Sequence, residues 1–410
     1  MLMKKYSYPK ASIKILLAEN IHSVAHDRLK AEGFSVEGVK QALGESELIS
    51  KTQDVHVLGI RSKTQISPKA VRESKKLLSI GCFCIGTNQV DLEAARLQGI
   101  PVFNAPFSNT RSVAEMVMAE IVMLSRQIGD RNTQLHNGKW DKSAAGCYEI
   151  RGKCLGIIGY GHIGSQVSIL AESFGMKVNY FDIVTKMPLG NGRQIGSLEE
   201  LLAQSDFVTL HVPETPQTKN MVGPQQLKSM KAGSFLINAS RGTVVDLRAL
   251  KQSLVSGYTA GAALDVFPEE PESNDDIFKC ELQNVPNVIL TPHIGGSTEE
   301  AQENIGIEVS MSLIKFINNG STTGSVNFPQ VDLPVHQSSH RILNIHKNVP
   351  GVLKDINRII SDLGANIQGQ YLSTDPEIGY LIVDLDKQVS DKVKEQISIL
   401  PTSIRTRILY

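Results

Sequence analysis

The chain has 410 residues and no net formal charge, because 42 Lys and Arg residues balance 42 Asp and Glu residues. A neutral chain exerts no general attraction on nucleic acid or an anionic membrane, so any anionic ligand needs a local site. The length exceeds that of one ordinary domain, and it predicts two or three domains with room for a cleft.

The beginning of the chain, Met1 to Lys14, is basic, but only Ile15 to Ala18 are apolar before Glu19. That stretch is too short for a signal peptide, and no apolar run is long enough to span a bilayer. The five cysteines are few and odd in number, and the close pair Cys82 and Cys84 lacks the further ligands of a zinc site. We therefore expect a soluble, cytoplasmic protein with buried free thiols and no metal.

Short apolar runs alternate with helical patterns from the start of the chain. The runs Ile13 to Ala18, Val55 to Ile60 and Leu77 to Phe83 predict strands, with helices such as His22 to Lys30 between them. This alternation is typical of a parallel sheet of the α/β class. The segment ends in a turn-rich stretch between Pro101 and Pro106.

A second α/β segment follows. Ser112-Val113-Ala114-Glu115 has the spacing of a capping box and predicts a long helix that ends near Gln127. Six predicted strands with intervening helices suit a doubly wound nucleotide-binding domain. These strands are Cys154 to Ile158, Val178 to Phe181, Asp206 to His211, Phe235 to Ala239, Gly261 to Val266 and Val288 to Leu290. A helix from Ser297 to Asn318 could return the chain to the first domain.

The C-terminal part begins with an aperiodic stretch, Pro329 to His340, that predicts a linker. The order strand, helix, strand, strand, helix, strand then predicts a ferredoxin-like βαββαβ unit. Its elements are Arg341 to His346, Pro350 to Leu363, Ile367 to Ser373, Gly379 to Leu385, Asp391 to Ile399 and Ser403 to Leu409.

A glycine-rich loop, Gly159-Tyr160-Gly161-His162-Ile163-Gly164, connects a predicted strand to a predicted helix. The pyrophosphate of a dinucleotide needs backbone N–H groups at close range, which side chains at Gly159 and Gly161 would obstruct. Gly164 would let the helix lie close to the strand. Asp182 ends the next strand, where a carboxylate binds the adenosine ribose and repels a 2′-phosphate. The pattern predicts NAD rather than NADP, and the alternative is a structural βα turn with a surface aspartate.

Three polar side chains follow predicted strands of the same segment: Arg241, Glu270 and His293. Ligands of doubly wound sheets bind beyond the carboxyl ends of the strands. Oxidation of a 2-hydroxy acid needs a base for the hydroxyl proton, which histidine suits, and a cation for the carboxylate, which the planar fork of arginine suits. We assign His293 as general acid/base, Glu270 as its orienting partner and Arg241 as substrate anchor. Taken singly, each has an equally good structural interpretation.

These segments together resemble the D-isomer-specific 2-hydroxyacid dehydrogenase family, and within it the bacterial type with a C-terminal ACT domain. The resemblance covers essentially the whole chain. It rests on the segments Gly59 to Ser62, Ile85 to Asp91, Asn104 to Thr110, Gly159 to Gly164, Ser240 to Gly242 and Thr291 to Gly296. It implies a flavodoxin-like substrate domain in residues 1–106 and 296–330, a Rossmann NAD-binding domain in 107–295, a linker in 331–340 and an ACT regulatory domain in 341–410.

The resemblance also implies an activity: NAD-dependent oxidation of D-3-phosphoglycerate to 3-phosphohydroxypyruvate, the entry to L-serine biosynthesis. A side activity on 2-oxoglutarate would give 2-hydroxyglutarate. Asp265 matches a position near the nicotinamide. The expected substrate contacts are Arg61, Ser62, Lys63, Asn109 and Lys142, the last of which could act from a neighbouring subunit. Relatives carry arginine in place of Lys63, and lysine keeps the charge but not the bidentate fork.

The segment His346 to Leu353 resembles the ligand loop of ACT domains, a turn that presents polar side chains and amides at a helix start. The resemblance implies that L-serine is a feedback inhibitor bound by His346, Asn348 and Asn366 between paired ACT domains of a homotetramer. A plain helix-starting turn is the alternative. Relatives have a Gly-Gly pair where this chain has Ser338-Ser339, so the strength of inhibition is open.

Two other functions remain open. A sister dehydrogenase acting on glycerate, lactate or 2-hydroxyglutarate would need neither the cations Arg61 and Lys63 nor the ACT unit. A non-catalytic NAD sensor or corepressor on the same fold would not need Arg241, Glu270 and His293 together.

Overall fold

The computed structural model describes residues 9–271, 276–334, 340–386 and 389–409. The predicted linker pair Ser338 and Ser339 lies outside the described residues. The chain forms two compact units, one made of Met1–Ser108 with Gln302–Tyr410 and the other of Asn109–Ala301. Over the described ranges, no helix has the length and apolarity needed to cross a membrane.

The first segment of unit 1 is an α/β layer. Its strands are β1 (Lys14–Leu17), β2 (Ser35–Gly38), β3 (Val57–Ile60), β4 (Ser79–Cys82) and β5 (Val102–Phe103). Its helices are α1 (Ser23–Ala31), α2 (Glu45–Thr52), α3 (Pro68–Glu73) and α4 (Leu92–Leu97). The strands form a parallel sheet in the order β2-β1-β3-β4-β5. This is the flavodoxin-like order, which confirms the predicted fold of this segment.

Unit 2 contains a doubly wound sheet. Its elements are α5 (Thr110–Arg126), α6 (Ile128–His136), β6 (Cys154–Ile158), α7 (His162–Ser173), β7 (Lys177–Phe181), β8 (Arg193–Gln194), α8 (Leu198–Gln204), β9 (Phe207–Leu210), α9 (Pro224–Ser229), β10 (Ser234–Asn238), α10 (Leu247–Val255), β11 (Thr259–Leu264) and β12 (Val288–Leu290). The parallel order is β12-β11-β10-β9-β6-β7-β8. The six predicted strands are all present, and the short edge strand β8 adds a seventh. The order reverses between β6 and β9, which marks the expected ligand crevice.

The long helix α5 begins differently from the prediction. Its N-cap is Asn109, which makes no capping side-chain hydrogen bond. Ser112 lies inside the first turn and its hydroxyl bonds to Thr298 at 2.8 Å, while Glu115 pairs with Arg111 at 2.6 Å. The helix was predicted correctly but the capping box is wrong, because both of its side chains have other partners.

Helix α11 (Glu299–Asn319) returns the chain to the first sheet. Its buried residues Val309, Leu313 and Phe316 belong to the same apolar cluster as Leu17 of β1 and Phe103 of β5. Burial of each such side chain contributes about 1.5 to 3 kcal/mol.

The C-terminal part of unit 1 has six elements: β13 (His340–Lys347), α12 (Val352–Asp362), β14 (Ile367–Thr374), β15 (Ile378–Leu385), α13 (Ser390–Ser398) and β16 (Ser403–Leu409). Its antiparallel sheet has the order β14-β15-β13-β16, which confirms the ferredoxin-like prediction. Helices α12 and α13 cover one face. The opposite face packs Leu343, Ile345 and Tyr380 against Phe328 of the preceding segment.

The five cysteines are free thiols. Only Cys82 is fully buried, and burial raises the pKa of its thiol well above the usual value. The other four, Cys84, Cys147, Cys154 and Cys280, are only partly buried, so the prediction of buried thiols is wrong for them.

Candidate active site

The glycine loop joins β6 to α7, and its three glycines face different surroundings. Gly159 has φ +92°, and a Cβ there would lie 2.3 Å from the carbonyl oxygen of His211. A Cβ on Gly164 would lie 2.2 Å from the carbonyl oxygen of Gly159. A Cβ on Gly161 would meet nothing within 4 Å. Gly159 and Gly164 are therefore required by close contacts within the fold. Gly161 instead leaves open space in front of the N-terminus of α7, whose first residues are His162 and Ile163.

Asp182 follows β7, the neighbour of β6 in the sheet. Its Oδ2 accepts the backbone N–H of Tyr160 at 2.8 Å and its Oδ1 accepts that of Val184 at 3.0 Å. The carboxylate is thereby fixed beside the glycine loop. An open cradle at a helix N-terminus and a fixed carboxylate beside it fit the pyrophosphate and ribose of a dinucleotide.

His293 and Glu270 form a hydrogen-bonded pair. The distance from His293 Nδ1 to Glu270 Oε2 is 2.8 Å, and Glu270 Oε1 accepts the backbone N–H of Phe267 at 3.1 Å. His293 itself has φ +55°, an uncommon left-handed conformation for a residue other than glycine. Half of its side chain is exposed. The pairing leaves Nε2 as the ring nitrogen for an incoming substrate.

Each partner shifts the pKa of the other. The hydrogen bond with Glu270 raises the pKa of His293 above its ordinary value, against the opposing effect of burial. Burial alone would raise the pKa of Glu270, but the hydrogen bonds from His293 and the Phe267 N–H outweigh it and lower the pKa. The positive charge of Arg241 lowers both values. The pair thus favours an imidazolium beside a carboxylate, as a general acid/base with an orienting partner requires.

Arg241 lies in a turn that follows β10. The side chain of Asn238 shapes this turn, since its Nδ2 donates to the Arg241 carbonyl at 3.0 Å and its Oδ1 accepts the Ser240 N–H at 3.1 Å. A Cβ on Gly242 would lie 1.9 Å from the Phe267 carbonyl carbon, so glycine is needed for the close approach of the two loops. Arg241, Glu270 and His293 therefore follow three adjacent strands, β10, β11 and β12.

Asp265 anchors the segment that contains His293. Its Oδ1 accepts the Thr291 hydroxyl at 2.6 Å and the Ile294 N–H at 2.8 Å, and its Oδ2 accepts the Gly295 N–H at 2.8 Å. The residue is only 2% exposed. We predicted Asp265 near the cofactor from the resemblance alone; the structure shows that its oxygens bind the Thr291 hydroxyl before His293 and two backbone N–H groups after it.

The sequence of the chain is similar to known protein families and proteins. The profile of the D-isomer specific 2-hydroxyacid dehydrogenase NAD-binding domain matches residues 118–295. The profile of the AHAS small subunit-like ACT domain matches residues 342–405. A D-3-phosphoglycerate dehydrogenase of Dictyostelium discoideum is 56% identical over 98% of this chain and 99% of its own length. The chain belongs to the D-isomer-specific 2-hydroxyacid dehydrogenase family.

Two further relatives support membership of this dehydrogenase family. The D-3-phosphoglycerate dehydrogenase of Escherichia coli strain K12 is 53% identical over 100% of both chains. The crystal structure of D-lactate dehydrogenase from Aquifex aeolicus, complexed with NAD and lactic acid, has a TM-score of 0.66 and 26% identity, covering 77% of this chain and all of that one. The protein is thus an oxidoreductase of this family with NAD as its cofactor.

The substrate residues expected from the family lie in both units. In unit 1, Arg61, Ser62 and Lys63 directly follow β3. In unit 2, Asn109 precedes α5, and its buried Oδ1 has no hydrogen-bond partner among the residues that the structure describes. Lys142 is exposed and lines a cavity of about 430 Å³ together with Arg126 and Arg131.

The expected effector residues do not converge within one chain. His346 is 3% exposed, and its Nδ1 contacts Asn344 Oδ1 at 3.0 Å, while burial lowers its pKa. Asn348 donates to the Asp375 carbonyl at 2.6 Å, at the end of the sheet where Gly379 pairs with His346. Asn366 precedes β14 at the other end, where Ile367 pairs with Leu385. The two ends are roughly 20 Å apart along β14.

Proposed function

We propose that this chain oxidises D-3-phosphoglycerate to 3-phosphohydroxypyruvate with NAD, the first step of L-serine biosynthesis. The observation that carries the chemistry is the 2.8 Å contact between His293 and Glu270 at the carboxyl edge of a sheet that also carries the glycine loop. The identity of the substrate rests on full-length similarity to proteins named D-3-phosphoglycerate dehydrogenase.

In the proposed mechanism, Arg241 binds the substrate carboxylate through its guanidinium and polarises the adjacent carbon. Nε2 of His293 accepts the proton of the 2-hydroxyl group as the C2–H bond breaks. NAD, when bound, takes up the hydride from C2. Glu270 stabilises the imidazolium that forms, and His293 returns the proton in the reverse reduction. Asn109 assists at the carboxylate end.

We propose a preference for NAD over NADP on the strength of Asp182. Two backbone N–H groups fix its carboxylate just after β7, and in dinucleotide-binding folds an acidic residue at this point binds the ribose hydroxyls. A 2′-phosphate would be repelled by this carboxylate, which the two hydrogen bonds hold in place. His162, Ile163 and the three loop glycines would hold the pyrophosphate, and Asp265 supports the loop at the nicotinamide end.

The phosphate of the substrate is bound, in this proposal, by Arg61, Ser62 and Lys63. The guanidinium of Arg61 and the ammonium of Lys63 make no ion pair with a carboxylate in the described part of the chain, so both charges are available to a dianion. Lys142 would contribute from a neighbouring subunit. The proposal also includes the domain bounds: a substrate domain in residues 1–106 and 296–330, an NAD-binding domain in 107–295, a linker in 331–340 and an ACT domain in 341–410.

We further propose feedback inhibition by L-serine through the ACT domain, in a homotetramer. Strand β14 is an edge strand of the sheet. If two copies pair through β14 in antiparallel fashion about a twofold axis, Asn366 of one copy comes opposite Thr374 of the other. Asn348 lies at that same end through its bond to Asp375. One serine could then contact Asn348 and His346 of one copy and Asn366 of the other.

The test is the rate of NADH formation with D-3-phosphoglycerate, compared with D-glycerate, with NADP in place of NAD, and with added L-serine. We expect turnover only with the phosphorylated substrate and NAD, and inhibition by serine. Equal rates with D-glycerate would favour a sister dehydrogenase. Binding of NAD without turnover of any 2-hydroxy acid would favour a sensor or corepressor.

Reduction of 2-oxoglutarate with NADH tests the proposed side activity. Fractionation of cells tests the proposed cytoplasmic location.

A further inference from the structure

A buried glutamate, Glu19, lies under the loop that follows β3. We propose that Glu19 is a positioning residue that holds the backbone of Arg61, Ser62 and Lys63 in the shape that binds the phosphate of the substrate. The inference rests on the proposed function and adds to it a residue that no sequence pattern singled out.

The carboxylate of Glu19 accepts three backbone hydrogen bonds from this one loop. Its Oε1 accepts the N–H of Arg61 at 3.2 Å and that of Thr64 at 2.8 Å. Its Oε2 accepts the N–H of Lys63 at 2.9 Å. Glu19 is 8% exposed, so the bonds form away from competing water and are charge-assisted. A single side chain thus binds three of the four backbone N–H groups of residues 61 to 64.

Glu19 holds this position in a strained backbone. Its φ is +64°, and that of the next residue, Asn20, is +50°. Left-handed conformations are uncommon for residues other than glycine and persist where the surroundings enforce them, often at ligand sites. Here the N–H of Glu19 bonds to the carbonyl of Gln41, and that of Asn20 bonds to the carbonyl of Val39, each at 3.2 Å. The strained turn directs a long carboxylate side chain at a neighbouring loop.

The position of the loop in its sheet is that of a ligand site. Strand β1 lies between β2 and β3 in the sheet. The chain therefore passes from β1 to β2 on one side and then crosses to β3 on the other side. In open α/β sheets, ligands bind at such a switch point, outside the carboxyl ends of the strands. Glu19 follows β1 and Arg61 follows β3, so both lie at the switch point of this sheet.

The contacts also determine which groups of the loop remain for a phosphate. The N–H groups of Arg61, Lys63 and Thr64 bind Glu19, and the carbonyl of Arg61 accepts the side-chain amide of Gln89 at 2.6 Å. The backbone of Arg61 is therefore fully used by the protein. A phosphate would be bound by the side chains of Arg61, Ser62 and Lys63 together with the N–H of Ser62, and Glu19 holds the backbone that positions all of these groups.

The substitution Glu19→Gln tests the proposal, because the amide keeps the size but its NH₂ group would face an N–H of the loop. The assay is kcat/KM with NADH for 3-phosphohydroxypyruvate and for hydroxypyruvate, which lacks the phosphate. We expect the ratio of kcat/KM for 3-phosphohydroxypyruvate to kcat/KM for hydroxypyruvate to fall about tenfold or more, because the KM for the phosphorylated substrate rises. Small misplacements of binding groups have effects of this size. The kcat and the KM for NADH change less than about twofold. Glu47→Gln, at an exposed carboxylate on α2, is the matched control and leaves the ratio unchanged.

A double variant separates the positioning role of Glu19 from the proposed phosphate contact. Arg61→Met combined with Lys63→Met removes the phosphate-binding charges, and adding Glu19→Gln to this pair of substitutions should lower the kcat/KM ratio no further. If the pair lowers the ratio and Glu19→Gln alone does not, the positioning role is wrong and the proposed substrate contact stands. If the pair leaves the ratio unchanged, the proposed phosphate contact itself is wrong.

Stability is checked by circular dichroism and thermal unfolding of each variant. If Glu19→Gln does not fold, Glu19→Asp takes its place, because it keeps the charge but is one methylene too short for all three bonds. We expect an intermediate ratio for that variant. An equal loss of activity on both substrates would overturn the proposal, since Glu19 would then only support the fold.

Discussion

At the scale of single residues, the orientation of His293 is determined by its backbone. Asp265 binds the peptide N–H groups of Ile294 and Gly295 after it and the hydroxyl of Thr291 before it. The left-handed φ of +55° at His293 turns the side chain towards Glu270. A general base held in this way loses little conformational freedom when the substrate binds, which is how fixed catalytic groups lower a barrier.

The raised pKa of His293 predicts a pH dependence with a definite sign. Oxidation needs the neutral imidazole, so kcat/KM rises as pH increases through the pKa of His293. In Glu270→Gln the hydrogen bond to a charged carboxylate is lost, the pKa of His293 falls, and the acidic limb of the profile moves to lower pH. Because the imidazolium is also less stabilised, we expect kcat to fall by about 100-fold or more. A profile with an unmoved acidic limb would contradict the role of Glu270.

At the scale of elements, the pattern of the sequence found the long strands and helices and most of their order. It missed β2 and β8, whose mostly exposed side chains form no apolar run, and β5, which has two residues. Arg241 and His293, which closely follow β10 and β12, were recognisable as site candidates from their position after predicted strands. Asp265 was expected near the cofactor only from the family resemblance, and Glu19 was not expected at all. Their partners lie 26 to 30 and 42 to 45 residues away in the sequence, and no local spacing indicates such contacts.

The glycine loop gives a matched pair of predictions. In Gly164→Ala the new Cβ would lie 2.2 Å from a backbone oxygen, so β6 and α7 must separate and the midpoint of thermal unfolding falls by several degrees. In Gly161→Ala the Cβ enters open space, so the unfolding midpoint changes little but NAD binds about tenfold more weakly. Calorimetric unfolding and NAD titration of both variants provide the comparison. Equal effects of the two substitutions on NAD affinity would contradict the assignment.

Helix α5 carries a buried carboxylate that makes stability depend on pH. Glu120 is 3% exposed, and neither of its oxygens has a hydrogen-bond partner among the described residues. Burial, with a further contribution from Asp265, raises its pKa to about 8. The folded state therefore binds a proton that the unfolded state releases above its ordinary pKa of 4.5, and stability declines as pH rises from 4.5 towards 8.

The substitution Glu120→Gln removes this proton linkage. We expect the variant to gain stability relative to the native chain as pH increases, with the difference between the two largest above pH 8. Urea unfolding at several pH values measures it, with Glu115→Gln, on the exposed side of the same helix, as control. A constant difference across the pH range would show that Glu120 is ionised in the folded state.

At the scale of the whole molecule, the proposed inhibition by serine needs more than one chain. The register of the C-terminal sheet places Asn348 and Asn366 at opposite ends, so the proposed serine site is complete only with a second copy. Self-association would then be a condition for inhibition, and dilution below the dissociation constant of the pair would relieve it.

Mixing of two serine-insensitive variants tests this geometry. Asn348→Ala and Asn366→Ala should each abolish serine inhibition as homomers, because every site lacks one ligand. A mixed pair contains one site with both substitutions and one site with neither, so co-expression should restore part of the inhibition. The expected readout is a partial fall of the initial rate with serine in mixtures only. Retained insensitivity in the mixture would place all the ligands within one chain.

The apolar face of the C-terminal sheet that lies opposite α12 and α13 has a practical consequence. It packs Leu343, Ile345 and Tyr380 on Phe328, and the Tyr380 hydroxyl bonds to the carbonyl of Gly320 at 2.6 Å. Deletion of the ACT domain would leave the preceding segment without this cover, and each uncovered large apolar side chain costs about 2 kcal/mol. Under the proposed serine inhibition, a substitution at Asn348 would remove the inhibition and leave this face covered, whereas a truncated enzyme would expose the face and aggregate.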